Sequence, residues 1–108
     1  MKRIAAALFL SAATATAFAA GEPEFNIVIE NHKFTPDRIE VPAGKKVKLI
    51  VDNKDATAEE FESHDMKVEK VIAGKKKATI LVGPLKAGEY KFVGEFNEKT
   101  AKGVLVAK

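Results

Sequence analysis

The 108-residue sequence contains no cysteine. That absence excludes disulfide staples, thiolate nucleophiles, zinc–thiolate sites and a thioether-linked lipid anchor. Any metal chemistry has to rest on imidazole, thioether, carboxylate or amide groups. Histidine is scarce as well: His32 and His64 are the only two. No nucleophile–base pair is spaced to act with His64, so the sequence does not read as an enzyme. The chain also lacks an apolar run of the roughly 20 residues that a bilayer-spanning helix needs, and it lacks low-complexity tracts. Its length leaves room for one domain and one core. The basic clusters Lys45-Lys46 and Lys75-Lys76-Lys77 each follow a glycine and have no aromatic residues beside them for base stacking. They read as solvated hairpin turns, which excludes nucleic acid as a partner.

What is present begins with Lys2-Arg3, an apolar stretch from Ile4 to Leu10, and small residues ending in Ala17-Phe18-Ala19-Ala20. This is the form of a cleaved signal peptide over residues 1–20, with cleavage after Ala19 or Ala20. The expected mature protein is a single domain over residues 21–108. Loss of Lys2 and Arg3 leaves 16 basic residues against 15 acidic ones, so the raw positive charge largely disappears.

From Phe25 onward apolar residues recur at every second position in short runs punctuated by Gly and Pro, the period of strands. Phe25, Ile27 and Ile29 share one face; Ile39 and Val41 follow; Pro42-Ala43-Gly44 turns the chain; Val47, Leu49 and Val51 alternate with lysines. Further strands are expected over Met66–Ile72, Ala78–Val82, Tyr90–Phe92 and Val104–Val106. About seven short strands in fewer than ninety residues imply a β-sandwich rather than a parallel α/β sheet. One segment breaks the rhythm. Asp55 to Ser63 is rich in Ala and Glu and contains Thr57-Ala58-Glu59-Glu60, the pattern of a capping box, so one short helix is expected there. Leu85-Lys86-Ala87-Gly88-Glu89-Tyr90 has the form of a Greek-key corner, with a Tyr hydroxyl bonded back to nearby backbone.

The order Phe34-Thr35-Pro36, Ile39-Glu40-Val41, Ala43-Gly44, Val47-Lys48-Leu49, Val51-Asp52-Asn53, and then Gly88-Glu89-Tyr90-Lys91-Phe92, resembles the cupredoxin superfamily along the whole mature chain. The resemblance implies an all-β, cupredoxin-like Greek-key sandwich. It places His64 at the first histidine ligand of those proteins, Gly94 at their cysteine and Asn97 at their second histidine, with no methionine in place of the third ligand. A blue copper centre is therefore excluded. Glu59-Glu60-Phe61-Glu62-Ser63-His64-Asp65, with Gly94-Glu95-Phe96 and Thr100-Ala101-x-Gly103, is similar to a narrower branch, the cysteine-lacking periplasmic cupredoxins of iron-permease (EfeO-type) uptake systems. That branch implies a periplasmic accessory protein that binds an iron or copper ion and works beside an inner-membrane iron permease and its periplasmic components.

On the expected fourth strand His64, Met66 and Val68 share one face, which points His64 inward, either as a metal ligand or as a histidine bonded to a loop carbonyl or a Glu. Met66 offers a thioether to Cu(I) or else packs in the core. Glu59, Glu60, Glu62 and Glu95 are the candidate oxygen ligands, with Glu60 and Glu95 preferred, and Asn97 supplies an amide. The expected metal set is thus His64, Glu60, Glu95, Met66 and Asn97. His32 reads as a surface residue, or as a remote second metal contact. The competing function is a metal-free interaction module that binds a periplasmic or membrane partner through its loops.

Overall fold

A computed structural model describes residues 21–108; the export signal expected over residues 1–20 lies outside the described residues. The alternating pattern folds into nine strands: β1 (Glu24–Glu30), β2 (Lys33–Thr35), β3 (Arg38–Val41), β4 (Val47–Asn53), β5 (Glu59–Ser63), β6 (Val68–Ile72), β7 (Lys77–Val82), β8 (Gly88–Val93) and β9 (Lys102–Ala107). They form two sheets, ordered β2-β1-β4-β7 and β3-β9-β8-β5-β6. The β1–β4 and β3–β9 pairs are parallel and the rest antiparallel. The all-β sandwich expected from the sequence is correct, with nine strands instead of about seven.

The expected helix is absent. Glu59–Ser63 is an interior strand of the second sheet, flanked by β8 and the edge strand β6. Ala and Glu favour a helix locally, but helix propensity is a weak prior that tertiary context overrides. The single large apolar residue of the segment, Phe61, cannot make the apolar stripe a helix would bury. As a strand it sends Phe61 into the core, with Glu59 and Ser63 on the same side of the sheet and Glu60 and Glu62 on the other. The only helical turn among the described residues is a 3₁₀ turn at Glu95–Asn97.

Between the sheets lie Ile27, Ile29, Val47, Leu49, Val51 and Leu105, all fully buried, at alternate positions of β1 and β4 and on β9 opposite them. Toward one end the core becomes aromatic. Phe61 and Phe92 stack at 4.8 Å, and Phe34 meets both edge-on at 5.9 and 5.0 Å. These rings underlie the loop after β8, which approaches so closely that a methyl at Gly94 would lie 2.9 Å from Ala101 Cβ and 3.0 Å from the Glu60 carbonyl. The Tyr90 hydroxyl donates to the Lys86 carbonyl at 2.7 Å, closing the corner as expected.

Gly103, part of the Thr100-Ala101-x-Gly103 motif, is explained by the same rings. A methyl there would overlap the Phe92 ring and lie 2.8 Å from the Asp37 carbonyl, while Phe92 is held by two other rings and cannot retreat. Gly103→Ala is expected to cost about 1–3 kcal/mol by overpacking, measured by urea unfolding, whereas an unchanged midpoint would mean that the β8–β9 pair yields freely.

Candidate metal centre

The parallel pairing of β1 and β4 brings Glu30 and Asn53 to the same end of the sandwich, where β5 begins and β8 finishes. Three loops meet there. The first is the two-residue turn Asn31-His32, closed by the Glu30–Lys33 pair. Both residues have positive φ, 56° and 59°, the geometry of a type I′ hairpin. The second is the crossing from β4 to β5. It is shaped by Asn53, fully buried, whose amide donates to the carbonyls of Thr57, Ile72 and Ala73 and whose Oδ1 accepts the Asp55 N–H at 2.9 Å. So held, Asp55 clasps the hairpin: its two carboxylate oxygens accept the N–H groups of Asn31 (2.8 Å) and His32 (3.0 Å). Burial acts to raise the Asp55 pKa, but those two backbone donors, a contact with Glu59 and the nearby His32 outweigh it and hold it below the ordinary value.

The clasp presents the His32 ring to Glu59. His32 Nδ1 lies 2.6 Å from Glu59 Oε2 and 3.5 Å from Asp55 Oδ2. Glu59 is fully buried, at 0% exposure, whereas the His32 side chain is 47% exposed. The third loop, Gly94 to Ala101, supplies Asn97. Its backbone is tied by bonds from Gly94 N–H to the Ala101 carbonyl (2.9 Å), from Asn97 N–H to the Gly94 carbonyl (2.9 Å) and from Ala101 N–H to the Asn97 carbonyl (2.8 Å). Its Nδ2 donates to Glu59 Oε1 and Oε2 at 3.1 and 3.3 Å. His32, Asp55 and Glu59 each offer one ligand atom within 4.8 Å of the others.

This arrangement divides the expected site. Asn97 faces Glu59 at the start of β5, whereas His64 lies just past the other end of that strand. His64 does not point inward: its side chain is 91% exposed, and its nearest carboxylate is Glu62, at 3.7 Å. The inward expectation assumed an unbroken strand from His64 to Ile72. Residues 64–67 instead form the β5–β6 turn, with Lys67 at φ 58°, and the alternation restarts at Val68. That turn is pinned by Ser63 Oγ, which accepts the Met66 N–H and donates to the Lys91 carbonyl. Met66 packs against the core. His32, read as surface, is half-exposed and joined to a buried carboxylate.

Glu60 and Glu95 do come together, on the outer face of the second sheet with Glu62 and Glu69. Glu60 is 2% exposed. Burial first, then the neighbouring Glu69 carboxyl and the charges of Glu95 and Glu62, push its pKa up to about 7.

With this geometry in view, residues 3–107 match the Cupredoxin-like domain. The chain belongs to the cupredoxin-like domain family. An uncharacterized protein of Rickettsia prowazekii (strain Madrid E) is 43% identical over 83 residues, which cover 77% of this chain and 66% of that protein. The chain therefore spans slightly less than two thirds of that relative's length. Among solved structures, auracyanin A, a "blue" copper protein from Chloroflexus aurantiacus, is similar with a TM-score of 0.70 at 15% identity, covering 82% of this chain and 100% of that one. The metal-binding domain of the Streptococcus pneumoniae Cu(I)-exporting P-type ATPase, solved with Cu(I), gives 0.67 at 16% identity, covering 79% and 84%. Identities this low establish the fold. Within it, this cupredoxin-like domain has no thiolate and one imidazole at the site, a donor set that does not fit blue copper and suits hard-to-intermediate cations.

Glu60 also makes stability depend on pH. In the unfolded chain it ionises near 4.5 and in the fold near 7, so between these values the folded state holds the extra proton. Its contribution is complete below about 4.5 and is lost as pH rises through about 7. The chelator-treated protein should lose on the order of 1–3 kcal/mol across that window. In Glu60→Gln the corresponding fall should vanish. Parallel urea titrations at several pH values test this; identical slopes for both proteins would contradict it.

Proposed function

We propose that this protein is a periplasmic metal-binding accessory for iron uptake, holding iron, or copper used in its oxidation, at His32, Asp55 and Glu59. The observation that carries the reading is the convergence of one imidazole on two carboxylates at the end of the sandwich, with Nδ1 2.6 and 3.5 Å from their oxygens. Two anionic oxygens offset cation charge, and one nitrogen donor admits Fe(II), Fe(III) or Cu(II). The ion is cargo here, and the protein is not an enzyme in its own right. Its ligands exchange a proton for the metal, because the short His32–Glu59 contact needs a hydrogen that a bound cation displaces. Asn97 steadies Glu59 from the other side. Release to an inner-membrane iron permease is the role that the expected export signal and the resemblance to the EfeO-type branch support.

A second reading is favoured by one specific observation: without metal the cluster is already internally satisfied. Both Glu59 oxygens receive Asn97 and one also meets His32, while both Asp55 oxygens receive backbone donors. Such closure also suits a metal-free interaction module with Phe96, an exposed aromatic, beside the site.

Calorimetric titration of the mature chain with Cu(II), and anaerobically with Fe(II), separates the two. Glu59→Gln and His32→Ala are expected to weaken binding at least about tenfold, His64→Ala to leave it unchanged, and Asn97→His to tighten Cu(II) by adding an imidazole. The Cu(II) form should show no intense blue band. Equal affinity in all four variants would leave the interaction module as the better reading.

A further inference from the structure

On the opposite face of β5 from Glu59, a second set of carboxylates is arranged under different rules. Glu62 and Glu69 are direct cross-strand partners in the β5–β6 pair. Like charges facing each other across a ladder destabilise it. Glu95 reaches the same place from the 3₁₀ turn, and Glu60 completes the group, each residue offering one oxygen within 4.8 Å of the others. Among the described residues no lysine or arginine forms an ion pair with any of the four. Lys91 lines the adjoining groove of about 310 Å³, and His64 stands at its rim, 3.7 Å from Glu62.

A second observation concerns Glu60 alone. It is 2% exposed, and its Oε1 is buried with no hydrogen-bond partner. A buried acceptor left empty costs roughly 1–3 kcal/mol, and such groups in folded proteins are few. Repulsion, burial and an unpartnered oxygen thus coincide at one spot on an otherwise well-paired sheet. The Glu59 carboxylate, one residue away, has all the partners that Glu60 lacks.

We propose that Glu60, Glu62, Glu69 and Glu95 form a second cation site, separate from the His32 centre, that takes a hard, oxygen-preferring ion of the Ca2+ type. The donor set is all carboxylate, which selects hard cations over thiophilic or imidazole-preferring ones. The spacing permits such an ion: oxygens on opposite sides of Ca2+, each bound at about 2.3–2.6 Å, lie about 4.6–5.2 Å apart, and small side-chain adjustments bring four oxygens that already lie within 4.8 Å of one another to that geometry. A bound ion neutralises the Glu62–Glu69 repulsion and gives Glu60 Oε1 its missing partner. It also ties β5 and β6 to the 3₁₀ turn, and since Glu95 and Asn97 belong to that turn, it steadies the residue that supports Glu59 on the other face.

The test uses the chelator-treated mature chain with CaCl2 as the probe, read by calorimetry and by the thermal unfolding midpoint. Binding is expected with a dissociation constant of about 0.1–1 mM, the range of extracellular calcium modules, together with a rise in the midpoint. The double variant Glu69→Gln/Glu95→Gln alters two exposed side chains, so folding should survive, and it should weaken calcium binding at least about tenfold. His32→Ala should keep the full calcium response, which separates this site from the proposed metal centre. No calcium response in the wild type, or one that persists undiminished in the double variant, overturns the proposal.

Discussion

A carboxylate withdrawn completely from water must be given partners or neutralised, and Glu59 is the residue on which this constraint falls. Its solution draws three separate parts of the chain together: the His32 ring from the β1–β2 turn, the Asn97 amide from the loop after β8, and Asp55 from the β4–β5 crossing. Asn97 is held by the bonds of its own loop, whereas the other two depend on one another. The hairpin is fixed because Asp55 accepts its two backbone donors, Asp55 is fixed because Asn53 accepts its N–H, and Asn53 is fixed because it donates to the carbonyls of Thr57, Ile72 and Ala73. The site is therefore the outermost layer of a hydrogen-bond hierarchy rooted at the end of β4, and its geometry is set before any ligand arrives.

The strand period converts this constraint into two environments. Glu59 and Glu60 are adjacent in sequence and point to opposite faces of one sheet, so both can be buried and yet be treated differently. The first is paired on both oxygens. The second is crowded by like charges and raised toward neutrality. A local rule is broken on one face only, and such violations concentrate where a protein does something other than fold.

Much of the fold was legible in the sequence, because alternation of Ile, Val and Leu with charged residues marks strands wherever one face is buried. The Tyr90 corner and the absence of a blue site were equally plain. β5 was not legible: its inward residues are Glu59, Phe61 and Ser63, only one of them apolar, so hydrophobic periodicity carries almost no signal there. The misreading propagated to the site. With a helix in place of β5, His64 became the nearest plausible inward donor, and Glu59 could not be distinguished from Glu60. His32 carried a usable signal, since Asn31-His32 sits between two runs that pair as a tight hairpin, but its partner Glu59 is 27 residues away. That proximity exists only once the two sheets are stacked.

With no cysteine in the chain, the loops that converge at this end of the sandwich gather carboxylate oxygens around one imidazole, a donor set suited to hard-to-intermediate cations. The most direct measurement is anomalous diffraction at the copper edge from crystals of the mature chain equilibrated with Cu(II). A peak is expected within coordination distance of His32, Asp55 and Glu59. A peak at His64, or density only elsewhere on the surface, would contradict it.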